Sequence, residues 1–166
     1  MKSPLPFIFI VTAIVTACGG SAPSTQNDAQ KVAAALSGDD KHVATDNPVC
    51  KLFTPTEAAT YIGEPVGAPG NASGGCQWMA VKSDGWVRVF DTSDEYHEVP
   101  SHAKGFKELP AVGKRGYVSV DWGGWGAGAI VGTRSISVSV VGATASEASA
   151  VALLKESIKR SALPKS

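Results

Sequence analysis

Ser135-Ile136-Ser137-Val138-Ser139-Val140-Val141 decides the fold of this chain. Apolar Ile136, Val138 and Val140 alternate with three serines, the period-2 pattern of a strand with one buried face and one polar face. Just downstream, Thr144-Ala145-Ser146-Glu147 fits a capping box, with Thr144 as the cap and Glu147 reaching back. Ala148, Val151, Leu154 and Ile158 then recur at helical spacing, and Lys155, Lys159 and Arg160 sit toward the C-terminal end that favours cations. Upstream, residues 127–132 and 117–121 read as two more strands, and residues 109–113 as a turn. A hairpin precedes them: residues 76–81 and 86–90 flank a turn around Ser83-Asp84-Gly85, with Cys76, Trp78 and Ala80 sharing a face. Earlier still, Thr54-Pro55-Thr56-Glu57 combines a cap, a proline suited to the first helical position and a second capping box. Gly63 provides a left-handed stop, so residues 54–62 are expected to form a short helix. The order helix, strands, helix argues an α+β fold: a mostly antiparallel β-sheet with an N-terminal short helix and a C-terminal helix packed on one face.

The first 17 residues read differently. Lys2 precedes an apolar run from Leu5 to Val15, which ends in the small residues Thr16 and Ala17. A charged start, an apolar centre and a small-residue cleavage site make a secretory signal, and the run is too short for a span of about 20 apolar residues. Val15-Thr16-Ala17-Cys18 resembles the lipobox of bacterial lipoproteins. That resemblance implies cleavage before Cys18 and a diacylglycerol on its sulfur, with further acylation giving a stable membrane anchor. It places the protein in the cell envelope. Gly19 after the lipid resembles an outer-membrane sorting signal, facing the periplasm or the cell surface, if the cell is Gram-negative. Residues 18–46 are polar, with many Gly, Ser, Ala and Asp, and are expected to form a flexible tether. Residues 47–166 are expected to form a single domain.

The whole chain carries 15 basic and 15 acidic residues, and losing Lys2 with the leader leaves 14 against 15. A near-neutral chain with dispersed cations gives no electrostatic reason to expect a nucleic-acid partner. Apart from Cys18, the cysteines are Cys50 and Cys76. In an oxidising envelope an even pair reads as a disulfide. The alternative is two ligands of a metal site, which would need three or four donors in all.

Asn47-Pro48-Val49-Cys50-Lys51-Leu52-Phe53-Thr54, then Glu57-Ala58-Ala59 and Gly63, then Cys76-Gln77-Trp78, resemble a group of small bacterial envelope lipoproteins of unknown function. Leu109-Pro110-Ala111-Val112-Gly113 and Tyr117 resemble its middle section, so the likeness spans most of residues 47–160. Phe53 stands where leucine is commoner. The resemblance implies a Cys50–Cys76 bridge, the α+β fold and an envelope location. It implies no catalytic residue.

Several constellations suggest chemistry. His97 and His102 lie among Asp94, Glu95 and Glu98 in the charged stretch 91–104. Five residues apart, they match neither a helical nor a strand ligand pair, so a solvated surface loop is expected and no metal. Gly124-Trp125-Gly126-Ala127-Gly128-Ala129 loosely mimics a dinucleotide fingerprint. That motif needs a helix after it, whereas a strand-like run follows, so no cofactor is expected and the glycines are read as serving a turn or close packing. No nucleophile elbow is present. Asp121-Trp122-Gly123-Gly124-Trp125 is the candidate ligand-binding segment: Trp122 and Trp125, with Asp121, are read either as an aromatic platform for a glycan or protein, or as core cover at a hairpin. The expected function is a lipid-anchored, non-enzymatic envelope binding protein, whose ligand is either a protein, such as a hydrolase or toxin it inhibits, or a glycan. The alternatives are an envelope hydrolase gathering Asp121, Glu108, His97 or His102 in a cleft, and a structural lipoprotein of a larger complex.

Overall fold

A computed structural model describes residues 46–162. The signal segment, Cys18, the tether up to residue 45 and residues 163–166 lie outside the described residues. Within them, a 3-10 turn at Pro48–Lys51 leads into a short helix α1 (Pro55–Ala59). The strands are β1 (Gly70–Ala72), β2 (Gly75–Met79), β3 (Trp86–Ser93), β4 (Lys107–Glu108), β5 (Lys114–Asp121), β6 (Gly124–Val131) and β7 (Arg134–Val141). Helix α2 (Glu147–Ser161) closes the order. The strands form one sheet, ordered β1-β2-β3-β7-β6-β5-β4, with every neighbouring pair antiparallel. Two meanders therefore meet at its centre. After β3 the chain must travel past three strand positions to begin again at the far edge.

Strand alternation separates two faces. One carries the row Cys76, Val89, Val138, Ala127, Val118 and the row Trp78, Val87, Val140, Trp125, Val120. Ala150, Leu153 and Leu154 of α2 and Ala58, Ile62 and Phe53 of the α1 region join most of these residues in one buried core. Cys50 and Cys76 form a disulfide, with Cα atoms 5.0 Å apart. Trp78 is fully buried on the same face of β2 as Cys76, edge-on to Phe53 at 6.1 Å between ring centroids.

Four departures from the sequence reading bear on how the helix and central strands pack. The α2 cap is Ser146, which accepts from the Ser149 backbone N–H while the Ser149 hydroxyl bonds back. Thr144 instead lies in the turn before the helix, with the Ala145 N–H donating to Gly142, and Glu147 pairs with Lys107. The buried stripe of α2 is Ala150, Leu153, Leu154 and Ser157, whereas Ala148 is exposed and Val151 and Ile158 are half-buried. Small Ala150 and Ser157 let the helix axis lie close to the alanines of β6. Third, β3 continues through Asp91 to Ser93 where an irregular stretch is expected. Asp91 is tolerated on the helix-facing side because Arg134, its neighbour from β7, forms an ion pair with it and also donates to the Ser161 carbonyl at the end of α2. Fourth, β6 begins at Gly124, three residues before the expected start.

At α1 the expected capping box is present: the Glu57 N–H donates to Thr54 Oγ1, and the Thr54 N–H donates to Glu57 Oε2 at 2.8 Å. Gly63 has φ +73° and ends the following turn. Arg160 of α2 reaches across to Glu57 at 2.9 Å and lies 4.5 Å over the Phe53 ring. The Arg160 hydrogen bond, reinforced by Thr54, lowers the Glu57 carboxyl from 4.5 to about 2. A depressed carboxyl contributes stability that is full above its unfolded value and is lost as pH falls through the folded one. The thermal midpoint should therefore fall between pH 4.5 and 2, and Glu57→Gln should flatten that limb. Equal slopes in melts of the two proteins over this range would refute the assignment.

Candidate functional site

The second face of the sheet carries no helix. Its rows are Gln77, Arg88, Ser139, Gly126, Ser119 and, beside it, Gly75, Phe90, Ser137, Gly128, Tyr117. Glycines and serines thus occupy the middle strands, and large side chains flank them. A Cβ at Gly128 would lie 2.9 Å from Tyr117, whose ring lies across the cross-strand glycine. This is how an aromatic residue protects a glycine backbone in a sheet. A Cβ at Gly126 would lie 3.0 Å from Asp121. The glycines read in the sequence as serving a turn or close packing therefore leave a depression in the sheet.

The long connection from β3 to β4 crosses this face and walls the depression. His97 pins it. The ring is buried, Nε2 donates to the Arg115 carbonyl at 3.1 Å, and Nδ1 lies 2.9 Å from Ser135 Oγ. A carbonyl can only accept, which fixes the direction of the first bond. Arg115 has φ +55° where the β5–β6 register shifts, and this bulge turns its carbonyl toward the histidine. The expected solvated loop is corrected at this residue: His97 is a buried strut, while His102 is exposed.

Between the connection and the sheet lies a groove of about 340 Å³, within the size range of small-ligand sites. Ser119, Gly126, Ser137 and Ser139 line its floor, Arg88 and Phe90 stand on one side, Tyr117 and Asp121 on the other, and Glu98 on the crossing segment. The Arg88 guanidinium carbon lies 4.5 Å from the Trp86 ring centroid, and its Nε donates to Gln77 at 3.2 Å. The Trp86 indole N–H donates to Ser139 Oγ at 3.3 Å. Burial pushes the Asp121 carboxyl above its ordinary 3.8, and the positive charge of Arg88 opposes the shift. Burial also raises Tyr117, with the negative charges of Asp121 and Glu98 adding to it.

Trp122 completes the rim. It and Gly123 form the two-residue turn between β5 and β6, with φ +44° and +84°, the pattern of a type I′ turn. That turn favours Asn-Gly, yet its first position holds a tryptophan that is 82% exposed. A bulky residue in the left-handed region costs about 1–2 kcal/mol, and exposure recovers none of this through burial. Trp122→Asn should stabilise the domain by about 1 kcal/mol, measured as a higher urea midpoint. A lower midpoint would show that Trp122 serves the fold.

Asp121 and Trp122 are thus brought together at the groove. Trp125 is not. Alternation turns it to the helix-covered face, where it packs half-buried against the core and its ring lies close to Gly105. Glu108 lines a different cavity, with Val99, Phe106 and Arg115. Among the described residues no group of three His, Cys, Asp or Glu is arranged to hold a metal. The sequence reading missed Arg88, Tyr117, Ser119 and Ser139. Alternation along β5 sets Tyr117 and Ser119 on the face of Asp121 and was the signal available. Ser139 joins them through β6, and Arg88 arrives only through β3 pairing with β7, which no local pattern encodes. No family model, curated protein or solved structure matches this chain.

Proposed function

We propose that the protein is a lipid-anchored, non-enzymatic binding protein of the cell envelope, with the open sheet face as its ligand site. The observation that carries this reading is Trp122, exposed and conformationally unfavourable at the rim of a polar groove. A residue that costs stability where asparagine would not is a pointer to function. The anchor rests on the lipobox-like segment ending at Cys18, and the Cys50–Cys76 disulfide suits an oxidising compartment. The hydrolase alternative draws no support from placement, since Asp121 and Glu108 line separate cavities and both ring nitrogens of His97 are engaged.

The anchor is tested by Cys18→Ala in cells fed labelled palmitate. The variant should lose the label and leave the membrane fraction; unchanged retention would overturn the anchor. The binding role is tested by capture from envelope extract and purified cell wall on the immobilised full chain, with Trp122→Asn as the control. Capture should be specific and depend on Trp122, and recovery of nothing specific from either source would count against it.

A further inference from the structure

We infer that the groove binds a neutral saccharide, which stacks one ring face on Trp122 and bonds its hydroxyls to the groove's polar groups. This rests on the reading of the open face as a ligand site and names its ligand class. Three observations lead there. First, the exposed face of a tryptophan at a polar rim suits a ligand that is apolar on one side and hydroxylated at its edges. An aromatic face is electron-rich and attracts the polarised C–H groups of a sugar ring. Second, the groove offers both kinds of hydrogen-bonding group that hydroxyls use. Arg88 donates, Asp121 accepts, and the half-buried Ser137 hydroxyl does either, over a floor formed by the buried Ser119 and Ser139.

Third, the charge balance disfavours an anion. Among the described residues, Arg88 is the only basic one lining the groove, against the two carboxylates Asp121 and Glu98. Its Nε–H already donates to Gln77, and its guanidinium carbon lies 4.5 Å from the Trp86 ring centroid, which leaves the terminal N–H groups for a ligand hydroxyl. A phosphate or carboxylate ligand would meet a net negative wall, whereas a neutral polyhydroxyl ligand would not. An extended peptide adding to the sheet is disfavoured as well, because the edge strands β1 and β4 have three and two residues and present a short ladder.

The test uses the full-length lipidated protein in a zwitterionic detergent without a sugar headgroup. Cellotriose, maltotriose, chitotriose and inorganic phosphate are titrated separately while tryptophan emission is followed. At least one trisaccharide should give a saturable change with a Kd below about 1 mM. Trp122→Asn should weaken it at least tenfold with the fold intact by circular dichroism, Asp121→Asn should weaken it by a smaller factor, and phosphate should not saturate. No saturation with any trisaccharide, Trp122-dependent saturation with phosphate alone, or saccharide binding indifferent to Trp122→Asn would each overturn the inference. Capture of an envelope protein through Trp122, with no saccharide binding, would overturn the saccharide while sparing the broader binding role. Failure of both saccharide binding and capture would remove both.

Discussion

Trp78→Ala destabilises the domain by about 3–5 kcal/mol, a large share of the roughly 5–15 kcal/mol that holds a domain of this size together. Trp78 is fully buried, on the face of β2 that also carries Cys76, and meets the Phe53 ring edge-on. Phe53 in turn stacks edge-on with Tyr61 at 5.9 Å and lies under Arg160. Removing the indole opens a cavity beside Phe53, inside the one packed core, and close-packed neighbours collapse into it only in part. A second variant isolates the cause. Among the described residues nothing accepts from the Trp78 indole N–H, so Trp78→Phe loses contact area but also removes a desolvated donor that costs about 1–3 kcal/mol to bury. It should therefore lose less than half of what alanine loses. Urea unfolding of both variants gives the comparison, and equal losses would show that the N–H is satisfied in solution.

Replacing both members of the bridge, Cys50→Ala with Cys76→Ala, should lower stability by about 3.5 kcal/mol, from the loop-closure entropy of 26 residues. That loop contains α1 and β1, two of the least extensive elements in the fold, at five and three residues. Without the bridge, the segment is held by Phe53, Ala58 and Ile62 in the core, by Asn47 donating to the Gly75 carbonyl and by Glu57 accepting from Arg160. The wild-type protein in reductant should show the same shift in urea midpoint as the double variant. A reduced wild type as stable as the oxidised one would mean that the loop is ordered by packing alone. The effect should not add to that of Trp78→Ala, because residues packed in one cluster couple.

The framework of the fold was legible where sequence pattern and burial coincide. Ile136, Val138 and Val140 announced β7, and Thr54 with Glu57 announced α1, because alternation and capping are properties of a few consecutive residues. What failed was non-local. Asp91 looks like the start of a loop until Arg134, 43 residues away, is seen beside it. His97 looks solvated until the bulge at Arg115 offers its carbonyl. Gly124 to Gly126 carries no strand signal, so the strand is expected only from Ala127, yet β6 begins at Gly124, and Tyr117 from the next strand protects Gly128. For the site, Asp121 and Trp122 could be singled out from composition. Their partner Arg88 could not, since only the pairing of β3 with β7 brings the two meanders side by side.

The position of Cys50 has a mechanical consequence. A pull applied at residue 46 meets the disulfide after four residues, and from there the covalent path runs through sulfur into Cys76 of β2, an interior strand flanked by β1 and β3. The helix α1 and edge strand β1 lie inside the bypassed loop and hang slack. Tension is thereby borne by the interior of the sheet, and the most easily frayed elements carry none of it until the bridge is reduced.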